Sequence, residues 1–440
     1  MARILIIDKG GYVVDWALRC QNDGHKVKVY IRQTEKTRFI GKGLLDLVAD
    51  YREWKRWADL VFLPDNTMYI DELEVWRKEG IPVVGCNVEC AKWELERGTG
   101  QNIFRRAGIE VPNSKVFNDY DAAIRHVKRE MKRFVSKPDG DADKALSYCS
   151  KNPADMVFML ERWKKTNKLK RSFILQEFIP GTEMAVGGWF GPGGFNDGWC
   201  ENWEFKKLMN GDLGVATGEQ GTVLRVVKKS KLADKVLVPV ADALEKAGYV
   251  GYIDVNCIID ENGTPLPLEF TCRPGWPLFN IQQSLHQGDH AEWLLDLAEG
   301  RDANNWLMDT IAVGVVLSIP DYPYSQFTRK EVRGIPIYGL KPSLMSQISP
   351  CEIMMGEAPQ MFGDAIETGP IWTTAGDYVL VTHGTGQTIL QAKNAAYRVM
   401  KKLELPNSPM YRTDIGDRLK KQLPTLQAQG YALGMQWTTA

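Results

Sequence analysis

The first part of the chain alternates short apolar runs with amphipathic segments. The run from Arg3 to Asp8 predicts a buried strand. Further strands are expected over residues 27–31, 58–64 and 81–85, with a helix over 12–22. Strands that alternate with helices favour a parallel open sheet, which binds its ligands beyond the carboxyl ends of the strands. Gly10 and Gly11 are therefore candidate substrate contacts, although a plain tight turn explains these two glycines equally well.

The stretch from Gly251 to Gly275 has the strict alternation of a two-stranded hairpin. Asn262-Gly263 divides it and predicts a two-residue type I′ turn that pairs Glu261 with Thr264. The polar positions all point to one face, because side chains alternate along a strand. In this register the expected cross-strand pairs are Asp254 with Thr271 and Asn256 with Glu269. The other face is apolar: Ile253, Val255, Cys257, Ile259, Leu266, Leu268, Phe270 and Cys272.

The polar face of this hairpin is a candidate metal site. Two carboxylates, Asp254 and Glu269, stand beside two neutral oxygen-bearing side chains, and such a set suits a hard cation held also by phosphate oxygens. Mg²⁺ is the expected ion, with Mn²⁺ as an alternative. A solvated strand face is the other interpretation of the same pattern.

Composition narrows the class of protein. The 440-residue chain has a formal net charge of zero, so we expect no general electrostatic attraction to nucleic acid or to a membrane surface. Its apolar runs are shorter than the roughly 20 residues of a membrane helix. The N-terminus, MARILIIDKGG, predicts a strand and a turn rather than a signal peptide. Eight scattered cysteines, several within predicted strands, favour a reducing cytoplasm over a disulfide framework.

Two further segments carry groups that suit a nucleotide. In RFVSKPDG, Lys137 projects from a strand end just before a glycine turn, where an ammonium group can pair with phosphate. An ordinary exposed strand lysine is the alternative. The run over 139–150, which contains Lys144, predicts a mobile loop. The segment FILQEFIPGTE predicts a strand whose backbone can meet an adenine edge, followed by a carboxylate, Glu183, that can accept from ribose hydroxyls.

The order of these pieces resembles the ATP-grasp superfamily. FVSKPDG, ILQEFIPGTE and the hairpin ending in Glu-Phe-x-Cys-Arg are similar to phosphoribosylamine–glycine ligases, a family of purine biosynthesis. AVGVVLSIP and YRTDIG resemble the start and the end of that family's C-terminal domain. The resemblance implies an α/β chain with an ATP-grasp fold. Its expected domains are a Rossmann-like domain over 1–95, an ATP-grasp domain over 96–303 with a mobile lid at about 115–190, and a small α+β domain over 304–440.

The resemblance also implies a reaction and a role for each residue. ATP would activate a small carboxylate, glycine or another amino acid, as an acyl phosphate, which an amine, possibly on a nucleotide, would convert to an amide. Arg273 and Lys144 would serve catalysis, and Asp254, Glu269 and Thr271 the metal. The substrates would meet Gly10, Gly11, Gly218 and Trp276. ATP would contact Lys137, Gln176, Glu177, Phe178, Ile179 and Glu183. A cytoplasmic monomer or homodimer is expected.

Several positions depart from the family pattern. Thr271 replaces a metal-binding asparagine, and Trp276 replaces an acidic residue. Asp254 stands where the family usually lacks a carboxylate. The loop after Lys137 has lost most of its glycines. ATP binding is therefore better supported than the identity of the acid and the amine. Two alternatives stay open: an amino-acid ligase acting on a modified nucleotide or base amine, and a degenerate nucleotide-binding module without ligase activity.

Overall fold

The computed structural model describes residues 1–138, 147–166, 172–301, 303, 307–324, 330–406 and 408–439. The N-terminal elements are β1 (Arg3–Asp8), α1 (Val14–Asn22), β2 (Lys26–Ile31), β3 (Leu60–Leu63), α2 (Ile70–Lys78), β4 (Val83–Gly85) and α3 (Val88–Leu95). In the described chain, four of these strands form a parallel sheet in the order β2-β1-β3-β4. This confirms the predicted parallel sheet. The strand predicted over Arg3 to Asp8 has the same first and last residues as β1. Every residue of β1 after Arg3 is buried, because helices cover both faces of such sheets.

Helix α4 (Arg97–Arg106) follows and packs beside α3. The next elements form a smaller unit, the lid sheet. They are β5 (Ser114–Phe117), α5 (Tyr120–Glu130), β6 (Phe134–Pro138), β7 (Tyr148–Cys149), α6 (Pro153–Lys165) and β8 (Phe173–Glu177). Among the described residues the strands pair in the order β5-β8-β6-β7, all antiparallel. Helices α5 and α6 pack against one face through a separate apolar core.

The remaining elements build one large sheet and two small ones. The first part of this segment comprises β9 (Gly181–Gly191), β10 (Gly194–Phe195), β11 (Trp199–Glu204), β12 (Lys207–Met209), β13 (Leu213–Ala216), β14 (Gly221–Val227), α7 (Lys231–Val236), α8 (Ala241–Lys246), β15 (Gly251–Asp260), β16 (Pro265–Thr271), α9 (Leu278–Gln282) and α10 (Glu292–Ala298). The second part comprises β17 (Ile311–Ser318), β18 (Ile348–Pro350), β19 (Ile353–Phe362), β20 (Ala365–Thr374), β21 (Tyr378–Gly386), α11 (Ile389–Met400) and α12 (Leu419–Ala428). Strands β12 and β13 pair only with each other among the described residues, and so do β19 and β20, so these two hairpins lie outside the large sheet.

The large sheet crosses an expected domain boundary. Within the described residues its strands follow the order β16-β15-β9-β11-β14-β17-β21-β18, and β14 pairs with β17. The segment after residue 303 therefore extends the sheet of the preceding segment. The lid sheet ends with β8 at Glu177, and β9 already belongs to the large sheet, so the structural lid is shorter than the expected 115–190.

The hairpin β15–β16 has the predicted pairs but a different turn. Asp254 pairs with Thr271 and Asn256 with Glu269, as the alternation indicated. The predicted two-residue turn is wrong: the Asp260 N–H donates to the Thr264 carbonyl at 3.0 Å, which leaves a three-residue loop with Gly263 at φ +80°. A register shift between Asn256 and Cys257 absorbs the extra residue, so the two deviations cancel and the polar pairs stay aligned.

The apolar face of the hairpin anchors the site. Phe270 on β16 is 1% exposed, and its ring stacks on Phe104 of α4 with centroids 3.9 Å apart and planes at 11°. Because α4 begins at Arg97, this contact holds the start of α4 against the strand that carries Glu269. No helix in the described part of the chain is both long and apolar enough to cross a membrane.

Removing the Phe270 ring tests this anchor. Phe270→Ala should lower the free energy of unfolding by about 3–5 kcal/mol, because it leaves a cavity between β16 and α4. Phe158→Ala on α6 is the control, since that ring is 59% exposed, and should change stability by less than about 0.5 kcal/mol. Urea denaturation followed by tryptophan fluorescence measures both. Equal midpoints for the two variants would refute the anchoring role.

Candidate active site

One face of the large sheet collects the polar side chains of four neighbouring strands. Directly paired residues of antiparallel strands point the same way. Asn256 pairs with Glu269 and with Ala185, Ala185 pairs with Asn202, and Ile258 pairs with Glu183. Glu269, Asn256, Asn202 and Glu183 therefore share one face, and Glu204 joins them two residues beyond Asn202. The opposite face of β15 is the buried apolar core.

Lys206 follows β11 and is the central cation of this face. Its Nζ lies 2.8 Å from Glu183 Oε1 and 2.9 Å from Glu204 Oε2. Burial opposes the charged form of the lysine, but the two carboxylates raise the pKa of Lys206 well above its usual value. Sequence analysis missed Lys206 and Glu204, because their role depends on β9 and β11 being neighbours.

Lys137 approaches from the lid sheet. It lies on β6 opposite Ile174, and Gln176 lies on the same side of this sheet, opposite Val135. Burial lowers the pKa of Lys137 to about 8, helped by Arg97 and Lys206 and opposed by Glu269. These neighbours belong to the large-sheet side, so the two sheets face each other across the site. Lys144 lies outside the described residues.

Glu269 is held by Arg97, whose guanidinium donates to its carboxylate. Arg97 Nε also donates to the Pro138 carbonyl at 3.4 Å, next to Lys137. Burial alone would raise the pKa of Glu269, but Arg97, Lys137 and Lys206 together lower it below its usual range. Glu269 is therefore ionised at neutral pH. Arg97 was absent from the predicted site, since 172 residues separate it from Glu269.

Asp254 shares the face of Glu269 but points another way. Its Oδ2 accepts from Asn202 Nδ2 at 2.9 Å, across the intervening strand β9. This hydrogen bond passes over Gly187 of β9. A side chain at that position would collide with Asp254, because an added Cβ would lie 2.7 Å from Asp254 Oδ2. Burial is the main cause that raises the pKa of Asp254 to about 7, and the negative charge of Glu204 contributes in the same direction. Its neighbours thus lie toward β11, whereas Glu269 on the outer strand β16 faces Arg97 and Lys137. Thr271 is half-buried opposite Asp254.

The N-terminal loop is closed by its own carboxylate. Asp8 at the end of β1 accepts from the N–H groups of Gly10 and Gly11, both at 2.8 Å, and Gly11 has φ +77°. Beside the loop the rings of Tyr12 and Trp276 stack, with centroids 5.5 Å apart and planes at 21°. The structure therefore brings three predicted substrate residues, Gly10, Gly11 and Trp276, to one place.

Arg273 and Gly218 complete the predicted set. Arg273 Nη2 lies 3.1 Å from Glu94 Oε1, and Glu94 Oε2 accepts from the Cys272 N–H at 2.7 Å. Burial opposes the charge of Arg273, but Glu94 and Asp65 raise its pKa. Gly218 is exposed and directly precedes the buried Glu219. Glu94 and Glu219 were both missed by sequence analysis.

Comparison with known proteins assigns the architecture. Residues 99–278 match the family model described as phosphoribosylglycinamide synthetase, ATP-grasp (A) domain. The chain has an ATP-grasp domain. It is 25% identical over 399 residues to the phosphoribosylamine–glycine ligase of Neisseria meningitidis serogroup B, covering 85% of this chain and 88% of that protein.

Solved structures show the same ATP-grasp fold. The phosphoribosylamine–glycine ligase from Thermotoga maritima superposes with a TM-score of 0.72 at 20% identity, covering 94% of this chain and 100% of the other. The biotin carboxylase domain of 2-oxoglutarate carboxylase from Hydrogenobacter thermophilus, in complex with MgADP, gives a TM-score of 0.62 at 12% identity, covering 92% and 91%. This confirms the expected fold and the resemblance to phosphoribosylamine–glycine ligases.

The predicted hinge of this ATP-grasp domain lies where β8 leaves the lid sheet. The Glu177 N–H donates to the Asn113 carbonyl at 2.8 Å and the Phe178 N–H to the Arg133 carbonyl at 3.0 Å. The Arg133 guanidinium lies 3.5 Å from the centre of the Phe178 ring. The hinge is therefore tied to the lid, and Glu183 follows it on β9 of the large sheet. Contact of Glu177 and Ile179 with adenine stays a prediction.

The raised pKa of Asp254 predicts a pH-dependent loss of stability. Below about pH 4 the carboxyl is protonated in both the folded and the unfolded chain. Between about pH 4 and 7 only the unfolded chain loses the proton, so stability falls as pH rises, by up to about 4 kcal/mol in total. Asp254→Asn lacks this loss and should become more stable than wild type over this range. Urea midpoints at several pH values measure the difference.

The exposed Asp242→Asn on α8 makes the same change of charge elsewhere. Its midpoint should follow that of the wild type at every pH. A difference between Asp254→Asn and wild type that does not grow between pH 4 and 7 would contradict the burial argument.

Proposed function

We propose that this protein is an ATP-dependent carboxylate–amine ligase resembling phosphoribosylamine–glycine ligase. The observation that carries the proposal is the meeting of two sheets at one charged cluster: Lys137 from the lid sheet, and Glu269 and Lys206 from the large sheet, act on one another electrostatically. Two half-buried cations beside an ionised carboxylate form a site for a polyphosphate with a divalent cation.

The nucleotide would lie between the two sheets. Lys137 and Lys206 would pair with phosphate oxygens. The lowered pKa of Lys137 reflects a half-buried ammonium whose charged form a bound anion would stabilise. The segment Gln176 to Ile179 would receive the adenine. Glu183 would accept from ribose hydroxyls while keeping its ion pair with Lys206.

The donor set fits Mg²⁺ or Mn²⁺ with help from the nucleotide. Glu269 supplies a carboxylate, and the paired Asn256 has a buried Oδ1 that accepts no hydrogen bond from the described residues. The described residues contain no group of three or more histidine, cysteine, aspartate or glutamate side chains placed to hold a metal. Phosphate oxygens and Thr271 would therefore complete the shell. We favour Asn256 over Asp254 as the partner of Glu269, since Asp254 points toward β11.

A bound divalent cation would neutralise charge on the phosphates. Residues of this chain would stabilise the transferred group, bind the acid and exclude water. Lys137 and Lys206 would draw charge from the γ-phosphoryl group while the substrate carboxylate attacks it in line. Arg273 would hold the acid, its planar fork matching a carboxylate. The lid sheet would exclude water from the acyl phosphate until the amine attacks it.

A planar or aromatic amine is the second candidate for the acceptor. Backbone N–H groups in a glycine turn are common phosphate ligands, but here those of Gly10 and Gly11 are already bonded to Asp8. The stacked rings of Tyr12 and Trp276 border the same place and offer an aromatic surface. This combination favours an acceptor recognised by its ring over one recognised by a phosphate ester.

Acid-dependent ADP release tests the ligase proposal. The protein is incubated with ATP, Mg²⁺, a panel of amino acids and hydroxylamine, which traps an acyl phosphate as a hydroxamate whatever the natural amine. At least one acid should raise ADP release and yield hydroxamate. Glu269→Gln should lower that rate by about 100-fold or more. Glu261→Gln, an exposed change on the same hairpin, should leave it unaltered.

ATP binding without turnover for any acid, with or without phosphoribosylamine or aromatic amines, would instead support the nucleotide-binding module.

The pH dependence of ATP affinity tests the role of Lys137. Its pKa of about 8 predicts that ATP affinity falls about twofold by pH 8 and about tenfold for each pH unit above, because the free protein loses the ammonium proton that the phosphates require. Lys137→Arg keeps its charge and should lack this fall. Isothermal titration of each protein with ATP gives the two profiles. Parallel profiles would exclude Lys137 as the phosphate partner.

A further inference from the structure

Positive charge in this chain is concentrated in the lid. Residues 114–177 contain 15 lysines and arginines against 9 aspartates and glutamates, whereas the rest of the chain contains 40 against 46. The formal net charge of zero is therefore the sum of a positive lid and a negative remainder. Zero net charge argues against a general attraction to polyanions, but charge separated in this way allows a local one.

Two helices of the lid bring part of this charge to one surface. Helices α5 and α6 lie side by side on the lid sheet, and Lys164 Nζ of α6 lies 2.7 Å from Asp121 Oδ1 of α5. Each helix buries one apolar stripe in the lid core, so its opposite side faces solvent. Six exposed residues lie there, and we call them the lid helix surface: Arg125, Lys128 and Arg129 of α5, and Phe158, Arg162 and Lys165 of α6.

Most cations of the lid helix surface are not neutralised by the protein. In the described part of the lid, the ion pairs of α5 and α6 join Arg129 and His126 to Glu130, and Lys164 to Asp121. Like charges on neighbouring helices repel each other, and a polyanion bound across them would relieve that repulsion. Four cations of the surface take part in none of these pairs: Arg125, Lys128, Arg162 and Lys165.

An exposed aromatic ring stands among these cations. Phe158 is 59% exposed. Arg162 and Lys165 follow it by four and seven residues, which places all three side chains on one side of α6. Aromatic rings interleaved with cations form stacking platforms for unpaired bases, and the guanidinium fork matches a phosphate. The surface therefore combines both contacts that a single strand requires.

Other polyanions match this surface less well. A helix that lies in a membrane interface needs a broad apolar face toward the lipid, but α5 and α6 bury their apolar stripes in the lid core. An acidic peptide would pair with the cations but supplies no base to cover the ring of Phe158.

We propose that the lid helix surface binds single-stranded nucleic acid, with its cations on the phosphates and the ring of Phe158 against a base. Phe134 of β6 lies in the core beneath the two helices, so Lys137, three residues later, points to the other side of the lid sheet. The surface thus faces away from the proposed nucleotide site. It holds a strand on the protein without entering the chemistry, and the inference does not depend on the ligase proposal.

Fluorescence anisotropy of a labelled oligothymidylate of about 20 nucleotides tests the proposal. ATP and Mg²⁺ are present, so that the proposed nucleotide site is occupied. Affinity should fall with salt, and the slope of log K against log salt should be about −3.5, because five cations each neutralise a phosphate of a single strand. No binding at about 50 mM salt, or a slope shallower than about −1, would overturn the proposal.

Two triple variants with the same change of charge locate the contact. Arg125→Gln, Arg162→Gln and Lys165→Gln together should reduce the slope to about −1.5, because three of the five phosphate contacts are lost. The control combines Lys78→Gln on α2, Lys235→Gln on α7 and Lys246→Gln on α8, three exposed lysines outside the lid, and should keep the wild-type slope. Equal losses in the two triple variants would refute a site on the lid.

Phe158→Ala separates stacking from charge. It should weaken oligothymidylate binding about fivefold or more with an unchanged salt slope, because a base loses its stacking partner. Its affinity for a duplex of the same sequence should equal that of the wild type, since paired bases are already stacked. Tighter binding of the wild type to polyglutamate or to anionic phospholipid vesicles than to the oligonucleotide would refute the proposal in favour of an acidic protein or a membrane.

Turnover distinguishes this inference from the ligase proposal. The lid triple variant should form hydroxamate at the wild-type rate, because the surface faces away from Lys137. A protein that binds the strand but forms no hydroxamate keeps the nucleic-acid surface and loses the ligase function. A protein that forms hydroxamate but binds no strand keeps the ligase function and loses the surface.

Discussion

The ion pairs of Lys206 with Glu183 and Glu204 are the interaction on which the site depends. The two carboxylates project from β9 and β11 onto one half-buried face, where their like charges repel each other. The lysine is the second residue after β11, so the end of that strand fixes its position. The Phe205 N–H donates to the Gly221 carbonyl at 2.9 Å, and the Arg418 guanidinium lies 4.2 Å from the Phe205 ring. The C-terminal segment thus supports the chain that places the central cation.

Local periodicity predicted the strands and most of their faces, because side-chain alternation requires only neighbours in sequence. The prediction for Leu266 was wrong: beyond the register shift this residue pairs with Ile258 and lies on the side of Asn256, not on the apolar face. The periodicity also predicted the polar pairs of the hairpin, although the turn was wrong. The three-residue loop at Gly263 and the irregularity beside Cys257 each shift the register by one residue, and the shifts oppose each other. The alternation of polar and apolar residues cannot reveal two register shifts that cancel, because it reports only the net register of the two strands.

The partners of the site residues could not be predicted in the same way. Arg97 meets Glu269 across 172 residues, and Asn202 meets Asp254 across 52. The first contact depends on α4 packing against β16 and the second on strand order in the large sheet, and no local signal carries either. The direction of Asp254 depends further on Gly187 lying beside it on β9. Lys137 was predictable because a strand end before a glycine turn is a local feature, whereas the depression of its pKa comes from Arg97, Lys206 and burial.

The site has one end with two lysines and another end whose arginine, Arg273, is already paired with Glu94. Lys137 and Lys206 lie at the end proposed for the triphosphate. At the other end Asp8 occupies the N–H groups of the glycine turn, Glu94 binds Arg273, and Tyr12 beside the turn stacks on Trp276. A phosphate ester that bound there would compete with Asp8 for the N–H groups or with Glu94 for Arg273. Activation of an acid by ATP does not require these contacts to change. The chemistry at the triphosphate can therefore be retained while the partner molecule changes.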